Sequence, residues 1–371
     1  METRIDRDEL LRCVSRVQSI IEKRTNMPIL STVLLNASGS ELTISATDLE
    51  LGLRQVMSGE VIQEGSMTIS GRKLFEILKE SRGPTFHIKE KENNWVFITD
   101  YVARFDLACQ AADEFPAFIE PEGVKMVAID GETLSDMINK TIYAVTMEET
   151  GFKLSGILTE KVMKDGALLF RMVSTDGHRL SLVDKPLPNL ESLQLTKGVM
   201  VPKKGMTELN KLAGEGGVVE IGFEQKNCVA RKEGAVMVVR LLETKFPDYH
   251  AVIPTGEKFK ISVDRVLFME AMRKMLILSN ERYRAVKIAI ENDNMELVST
   301  NPDLGEAQES IKVEYKGERM EMGFNPRYFV DTLQSMASET IVLSFVDSLK
   351  PCMLRGEADG GFLGLIMPMR V

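Results

Sequence analysis

The sequence predicts an α+β protein built from three copies of one unit, each with two helices packed on antiparallel sheet. Three observations carry that expectation. At 371 residues the chain is too long for one ordinary core and fits two or three domains. Helix-opening signals recur at a nearly constant interval. The stretches between them alternate apolar and polar residues at the period of a strand with one buried face.

The first helix of each unit opens on an acidic residue placed to cap it: Asp6-Arg7-Asp8-Glu9-Leu10-Leu11, then Asp130-Gly131-Glu132-Thr133-Leu134, then Asp264-Arg265-Val266-Leu267-Phe268. In the first copy Leu10, Leu11, Val14, Val17 and Ile21 form one helical stripe, while Arg12 and Arg16, four apart, share another face. A strand ending in a polar turn follows at a similar interval, as Ile44-Ser45-Ala46-Thr47-Asp48, Val173-Ser174-Thr175-Asp176 and Val298-Ser299-Thr300-Asn301. A second helix is then entered from a strand, near Ile69-Ser70-Gly71, Val201-Pro202-Lys203 and Phe324-Asn325-Pro326. Two different markers sharing one period indicate duplication of a whole unit.

The spacing predicts helices over residues 6–24, 71–82, 130–147, 203–212, 264–277 and 325–337. Alternation predicts strands within 86–99, 217–222, 236–242 and 287–299. The first two units end alike, in Phe115-Pro116-Ala117-Phe118 and Phe246-Pro247-Asp248-Tyr249, where proline bars a continuing central strand. Repeat boundaries are therefore expected near 125 and 256, giving units 1–125, 126–256 and 257–371.

Composition narrows the function. A net charge of -9 argues against a protein that coats nucleic acid over its whole surface, since non-specific affinity comes from neutralising phosphates with Lys and Arg. Charge is nonetheless sorted by element: the six predicted helices sum to roughly +4 and the remainder to roughly -13. Equivalent helices facing one side of a curved array would offer a positive lining to the backbone of a DNA duplex. Aromatic residues make up 6% of the chain and Trp95 is its one tryptophan, too few stacking surfaces for a single-strand platform.

Chemistry is sparse. Cys13, Cys109, Cys228 and Cys352 stand far apart, without the spacing of a zinc site or a disulfide framework, and read as reduced core thiols. No metal and no cofactor is expected, since phosphate-loop, HExxH and dinucleotide patterns are missing. The N-terminus has no apolar leader and no stretch reaches membrane-spanning length, so a cytoplasmic protein with no membrane partner is expected. A hydrolase using Asp176 and His178 lacks a Gly-x-Ser-x-Gly elbow to support it, so the chain is read as a non-enzyme. A monomeric three-repeat interaction scaffold is the other alternative. Asp359-Gly360-Gly361 reads as a hairpin turn, Gly214-Glu215-Gly216-Gly217 as a loop, and the methionine-rich end Leu365-Ile366-Met367-Pro368-Met369-Arg370 as one wall of an adaptable peptide pocket.

Eight strings, in order along the whole chain, resemble the bacterial DNA sliding clamps, the beta subunit of DNA polymerase III: Met27-Pro28-Ile29-Leu30, Ala46-Thr47-Asp48-Leu49-Glu50, Thr175-Asp176-Gly177-His178-Arg179-Leu180, Phe246-Pro247-Asp248-Tyr249, Leu278-Ser279-Asn280-Glu281, Asn301-Pro302-Asp303-Leu304-Gly305-Glu306, Gly323-Phe324-Asn325 with Tyr328, and Met367-Pro368-Met369-Arg370. The resemblance implies a head-to-tail homodimer whose six domains close a ring around duplex DNA, without regard to sequence. It also implies a cleft between the second and third repeats for linear peptides from the replicative polymerase, the clamp loader and repair or replication-control proteins. That cleft would comprise Leu154, Thr175, Gly177, His178, Arg179, Leu180, Pro247 and Val252, with Asn325, Tyr328, Leu349, Met367, Pro368, Met369 and Arg370. DNA contacts would include Arg24, Arg72, Lys73, Phe152, Lys153, Lys203 and Lys204. The dimer contact would join Arg104, Phe105 and Leu107 to Ile277, Leu278, Glu306 and Gln308. The chain carries Gly151 and Ala251 where the resemblance leads one to expect arginine.

Overall fold

Among the described residues, four antiparallel sheets and six α-helices follow from the alternation and capping signals. The computed structural model describes residues 1–21, 26–146, 155–279 and 285–370. Its helices are α1 (Arg7–Gln18), α2 (Gly71–Glu80), α3 (Gly131–Ile142), α4 (Lys203–Gly214), α5 (Arg265–Ile277) and α6 (Pro326–Gln334). Every strand pairing recorded among the described residues is antiparallel. Expected caps form at Asp6, which accepts from the N–H groups of Asp8 and Glu9, and at Asp264, which accepts from that of Leu267.

Three helices stop three or more residues short of their predicted ends, each for a local reason. α1 closes at Gln18 because the chain tightens, Ile20 N–H donating to Val17 O at 3.1 Å, which drives Ile20 fully into the core. α3 ends at Ile142, where Ala144 N–H turns back to Thr141 O. After α6, the N–H groups of Ala337 and Ser338 leave the helix pattern and donate to the Asp359 carboxylate at 2.9 and 3.0 Å.

Contacts gather the chain into two compact units. The first comprises Met1–Glu132, Glu191–Gln194 and Thr207–Leu241, and the second Thr133–Leu190, Leu195–Met206 and Leu242–Val371, so the middle repeat is divided between them.

In the first unit a five-stranded sheet has the order Glu60–Gln63, Glu2–Asp6, Thr85–Lys91, Trp95–Thr99, Arg104–Ala108. Its eight-stranded neighbour runs Val127–Asp130, Val218–Glu224, Asn227–Lys232, Ala235–Arg240, Leu51–Ser58, Glu41–Thr47, Thr32–Ser38, Gly65–Ser70. Its midline joins different repeats, with Met237 opposite Leu53 and Val239 opposite Leu51.

The second unit repeats the arrangement. Its eight-stranded sheet runs Val199–Pro202, Gly156–Lys164, Ala167–Thr175, Arg179–Lys185, Phe362–Ile366, Cys352–Gly356, Thr340–Phe345, Phe259–Asp264, and here Leu180 stands opposite Leu365 across the join. A four-stranded sheet follows the order Gly305–Lys312, Asn294–Asn301, Val286–Glu291, Met320–Phe324.

The α1–α2 and α5–α6 pairs each pack on antiparallel sheet as predicted, and the first helix of each pair reaches a second sheet as well. α1 packs on α2 and meets strands of both first-unit sheets, and α5 packs on α6 and meets strands of both second-unit sheets. A helix that buries Leu10, Cys13, Val14 and Val17 offers a stripe wide enough to cover two sheet faces. Phe329 of α6 meets Phe268 of α5 and Phe324 edge to face, with centroids 5.4 Å apart in both contacts.

The predicted hairpin turn at Asp359 forms, and its carboxylate does more than shape the turn. Asp359, 1% exposed, accepts from Ala337, Ser338 and the Ser338 hydroxyl, and pairs with buried Lys140 at 2.9 Å. Burial opposes its charge, but those donors and Lys140 outweigh burial and hold its pKa below the ordinary aspartate value. A depressed carboxylate stabilises the fold fully above its unfolded pKa of about 3.9 and loses that contribution as pH falls through the folded value. Asp359→Ala should therefore destabilise the second unit by about 3 kcal/mol at pH 7, leaving Lys140 without this partner. Thermal melts from pH 7 to pH 3 should show the gap between wild type and variant closing towards acid.

Candidate docking pocket and basic helix faces

A cavity of about 430 Å³ opens in the second unit beside the join of its eight-stranded sheet. Leu180 and Leu365, paired across that join, belong to the same apolar cluster as Leu158, Val173 and Tyr249, which gives the pocket a hydrophobic floor. Its rim is the turn after Val173. Thr175 Oγ1 donates to Arg179 O at 2.6 Å and accepts from Gly177 N–H, while Asp176 Oδ1 accepts the N–H groups of His178 and Arg179. Gly177 holds φ of 85°, which suits glycine because there is no Cβ to clash.

Arg179 is fixed on all sides. Its guanidinium donates to Asp176 at 3.0 Å, Asp331 at 2.8 Å and Tyr143 O at 2.9 Å, and lies 4.7 Å from the Tyr328 ring centroid. Burial works against its charge, but the two carboxylates prevail and keep its pKa above the ordinary arginine value. The His178 ring stacks on Tyr328 at 6.2 Å with 12° between planes, and His178 O accepts from Met367 N–H. With both Asp176 oxygens committed to these partners, the Asp176–His178 ring pair considered for a hydrolase does not form.

The opposite wall is Tyr249, first residue of a 3-10 turn, Tyr249–Val252, capped by Asp248. Its hydroxyl donates to Glu160 and accepts from Arg171 at 3.0 Å, and Arg171 forks onto Asp184 at 2.6 and 2.8 Å. Burial, with Glu160, raises the phenol's pKa, so the wall stays neutral.

Of the residues the sequence assigned to the cleft, Thr175, Gly177, His178, Arg179, Leu180, Pro247, Val252 and Met367 line the cavity. Tyr328 joins through its stack on His178. Asn325 caps α6 by accepting from Arg327 N–H, and Met369 N–H bridges to Gly323 O, carrying Pro368 alongside that strand. Leu349 is 83% exposed in the turn after Thr340–Phe345, and Arg370 is exposed; neither lines the cavity. Leu154 falls outside the described residues, as does Gly151. Sequence reasoning missed Thr146, Asp176, Asp248 and Tyr249 as lining residues, and it read Leu365 only as part of the methionine-rich wall. The Phe246-Pro247-Asp248-Tyr249 string was the available signal for Tyr249, but it read as a domain exit.

The helices carry an excess of exposed positive charge. Among the described helix residues Arg12, Arg72, Lys73, Lys79, Lys204, Lys211, Arg273, Lys274 and Arg327 are exposed, against Asp8, Glu80, Glu132 and Glu270. Arg72 and Lys73 both reach Glu76 at 2.8 Å. Lys203 turns its ammonium to Val145 O at 3.3 Å, and burial, with Arg179 nearby, lowers its pKa. Arg16, whose side chain is 6% exposed, is spent on Glu215, Glu233 and Gln55 and offers little to a ligand. Arg24, Phe152 and Lys153 lie outside the described residues.

The residues assigned to a dimer contact sit at two open sheet edges and at the end of α5. Arg104, Phe105 and Leu107 belong to Arg104–Ala108, the last strand of the five-stranded sheet; Glu306 and Gln308 belong to Gly305–Lys312, the first of the four-stranded one. Ile277, 74% exposed, ends α5 and Leu278 caps it.

Comparison with known proteins agrees with this architecture. The chain matches DNA polymerase III beta subunit, N-terminal domain, over residues 1–119, the central domain over 128–248 and the C-terminal domain over 250–370. It is 32% identical to the beta sliding clamp of Pseudomonas aeruginosa, with 100% of both chains covered. Among solved structures it is similar to Caulobacter crescentus pol III beta, at 31% identity and a TM-score of 0.93, again over 100% of both chains. A sliding clamp from Bartonella birtlesii bound to griselimycin superposes with a TM-score of 0.94 at 31% identity, 100% of each chain being covered. On these matches the chain belongs to the DNA polymerase III beta subunit family of DNA sliding clamps.

Proposed function

We propose that this chain forms a closed head-to-tail homodimer around duplex DNA and tethers other proteins to it through the second-unit pocket, with no chemistry of its own. The observation that carries the reading is an excess of exposed basic residues on the helices of an acidic chain. Contacts of that kind hold phosphate weakly and without reading bases, so retention must come from enclosure and movement along the duplex stays easy. Arg72, Lys73, Lys203 and Lys204 supply part of the lining, and Arg24, Phe152 and Lys153 are assigned to it by resemblance.

The two open edges support the ring. Strand Arg104–Ala108 of one protomer would extend strand Gly305–Lys312 of its partner, with Arg104 meeting an edge that carries Glu306 and Glu309. Repeat boundaries are placed near 125 and 256.

The second-unit pocket supports peptide docking because it combines an apolar floor with a fixed polar rim. Its partners would be the polymerase, the clamp loader and repair or replication-control proteins, each presenting a linear segment. Docking then raises the partner's effective concentration at the primer end.

Two outcomes are expected. Loaded protein should persist on nicked circular DNA and run off within minutes of linearisation, as read by gel filtration; equal loss from both forms would refute topological binding. In the pocket, His178→Ala should weaken a polymerase-tail peptide about tenfold with stability unchanged within about 0.5 kcal/mol. Arg179→Ala should lower stability by about 3 kcal/mol as well, because it leaves Asp176 without its cation and Asp331 with Arg327 alone. Fluorescence anisotropy with parallel melts separates the two.

A further inference from the structure

The turn that rims the second-unit pocket recurs in the first unit, bond for bond. Thr47 Oγ1 donates to Leu51 O at 3.1 Å and accepts from Leu49 N–H at 3.0 Å; Asp48 Oδ1 accepts from Glu50 and Leu51 at 2.9 and 2.6 Å. These are the bonds made by Thr175 and Asp176. The position after the aspartate is left-handed in both, φ being 76° at Leu49 and 85° at Gly177. In the first unit a leucine tolerates that strained conformation, which sets a 53% exposed apolar side chain at the rim. The Phe-Pro segment is duplicated too, Phe115-Pro116-Ala117-Phe118 standing where the second unit has Phe246-Pro247-Asp248-Tyr249.

Turn and segment enclose a cavity of about 300 Å³ that belongs wholly to the first unit. Leu51, Phe115 and Phe118 give it an apolar surface, and Ile119 at its mouth is 77% exposed. Gly52 is what lets Phe118 seat there, since a Cβ would stand 3.1 Å from the ring. The Arg54 guanidinium covers Phe118 at 5.0 Å and is held by Glu120 at 2.6 Å.

Two polar groups at the wall set this cavity apart from its counterpart. Arg179 in the second unit is locked by two aspartates, whereas exposed Arg240 makes no side-chain hydrogen bond or ion pair among the described residues, and neither does the Asn227 amide beside it. Glu50 also lines the cavity, so an anionic group would settle at the Arg240 end.

We propose that this first-unit cavity is a second docking site, taking a short extended peptide that lays two apolar side chains over Leu51 and Phe118, places a carboxylate on Arg240 and bonds its backbone to Asn227. The shallow apolar surface of Leu51, Phe115, Phe118 and Ile119 argues for a short extended peptide, and the free guanidinium argues for an acidic one. The site stands on the geometry of the first unit alone and does not rest on the second-unit pocket binding anything.

The test is calorimetric titration of the full chain with an acetylated, amidated peptide of one aspartate, two leucines and a phenylalanine. Val252→Arg closes the second-unit pocket; that variant should still take about one peptide per chain. Adding Ile119→Arg and Arg240→Glu, both at exposed positions, should weaken the remaining binding at least tenfold while the melting temperature stays put. The proposal is overturned if Val252→Arg alone abolishes binding, if the two first-unit changes leave it untouched, or if octanoate competes as well as the peptide. Failure of the second-unit reading looks different: wild type and Val252→Arg would then bind alike.

Discussion

Antiparallel pairing between strands of different repeats is the constraint on which the rest of each unit depends. Ala235–Arg240 lies against Leu51–Ser58 in one unit, and Arg179–Lys185 against Phe362–Ile366 in the other. Each join satisfies two edges that would otherwise offer unpaired N–H and C=O groups to solvent or to another chain. Each also places the polar turn at a strand end beside a segment from another part of the chain, and a cavity is left between them. The pockets are thus a by-product of how the repeats are stitched, which is why one appears at each join.

Buried charge fixes the geometry around those joins. Lys140 with Asp359, and Arg171 with Asp184 and Tyr249, tie helix ends and strands through groups that cannot be left alone in a low-dielectric interior. Such pairs add little net stability compared with an apolar core, but any rearrangement that separates them is costly, so they hold a unique arrangement. Arg179 shows the functional side of the same physics. Its two carboxylates and two aromatic neighbours immobilise a pocket wall that would otherwise be a flexible side chain. In the first unit the exposed cation of the cavity, Arg240, has no such partners among the described residues, and the two cavities differ in what they offer a ligand for that reason.

An acidic chain that handles a polyanion must separate its charges in space. Here exposed lysine and arginine gather on helices while the acidic excess lies elsewhere. Helices suit this division because their exposed faces carry long side chains without disturbing the apolar stripe beneath. Several of the cations are already paired, Arg72 and Lys73 with Glu76 and Lys274 with Glu309, which moderates the field and fits contacts that are weak and interchangeable.

Local chemistry alone determined much of this protein. The threefold repeat, the caps at Asp6 and Asp264, the antiparallel strands, the hairpin at Asp359 and the polar rim of Thr175 to Leu180 are all legible in the chain, because each depends on neighbours a few residues away or on simple periodicity. What depended on distant partners was not. The shortened end of α6 needed Asp359 to draw off two N–H groups; the burial of Arg16 needed Glu215; and Tyr249 became a pocket wall only through Glu160 and Arg171. The division of the middle repeat between two units, and the second cavity beside Phe118, follow from which strand edges meet. Those edges are chosen by packing over the whole fold, and a one-dimensional pattern carries no record of that choice.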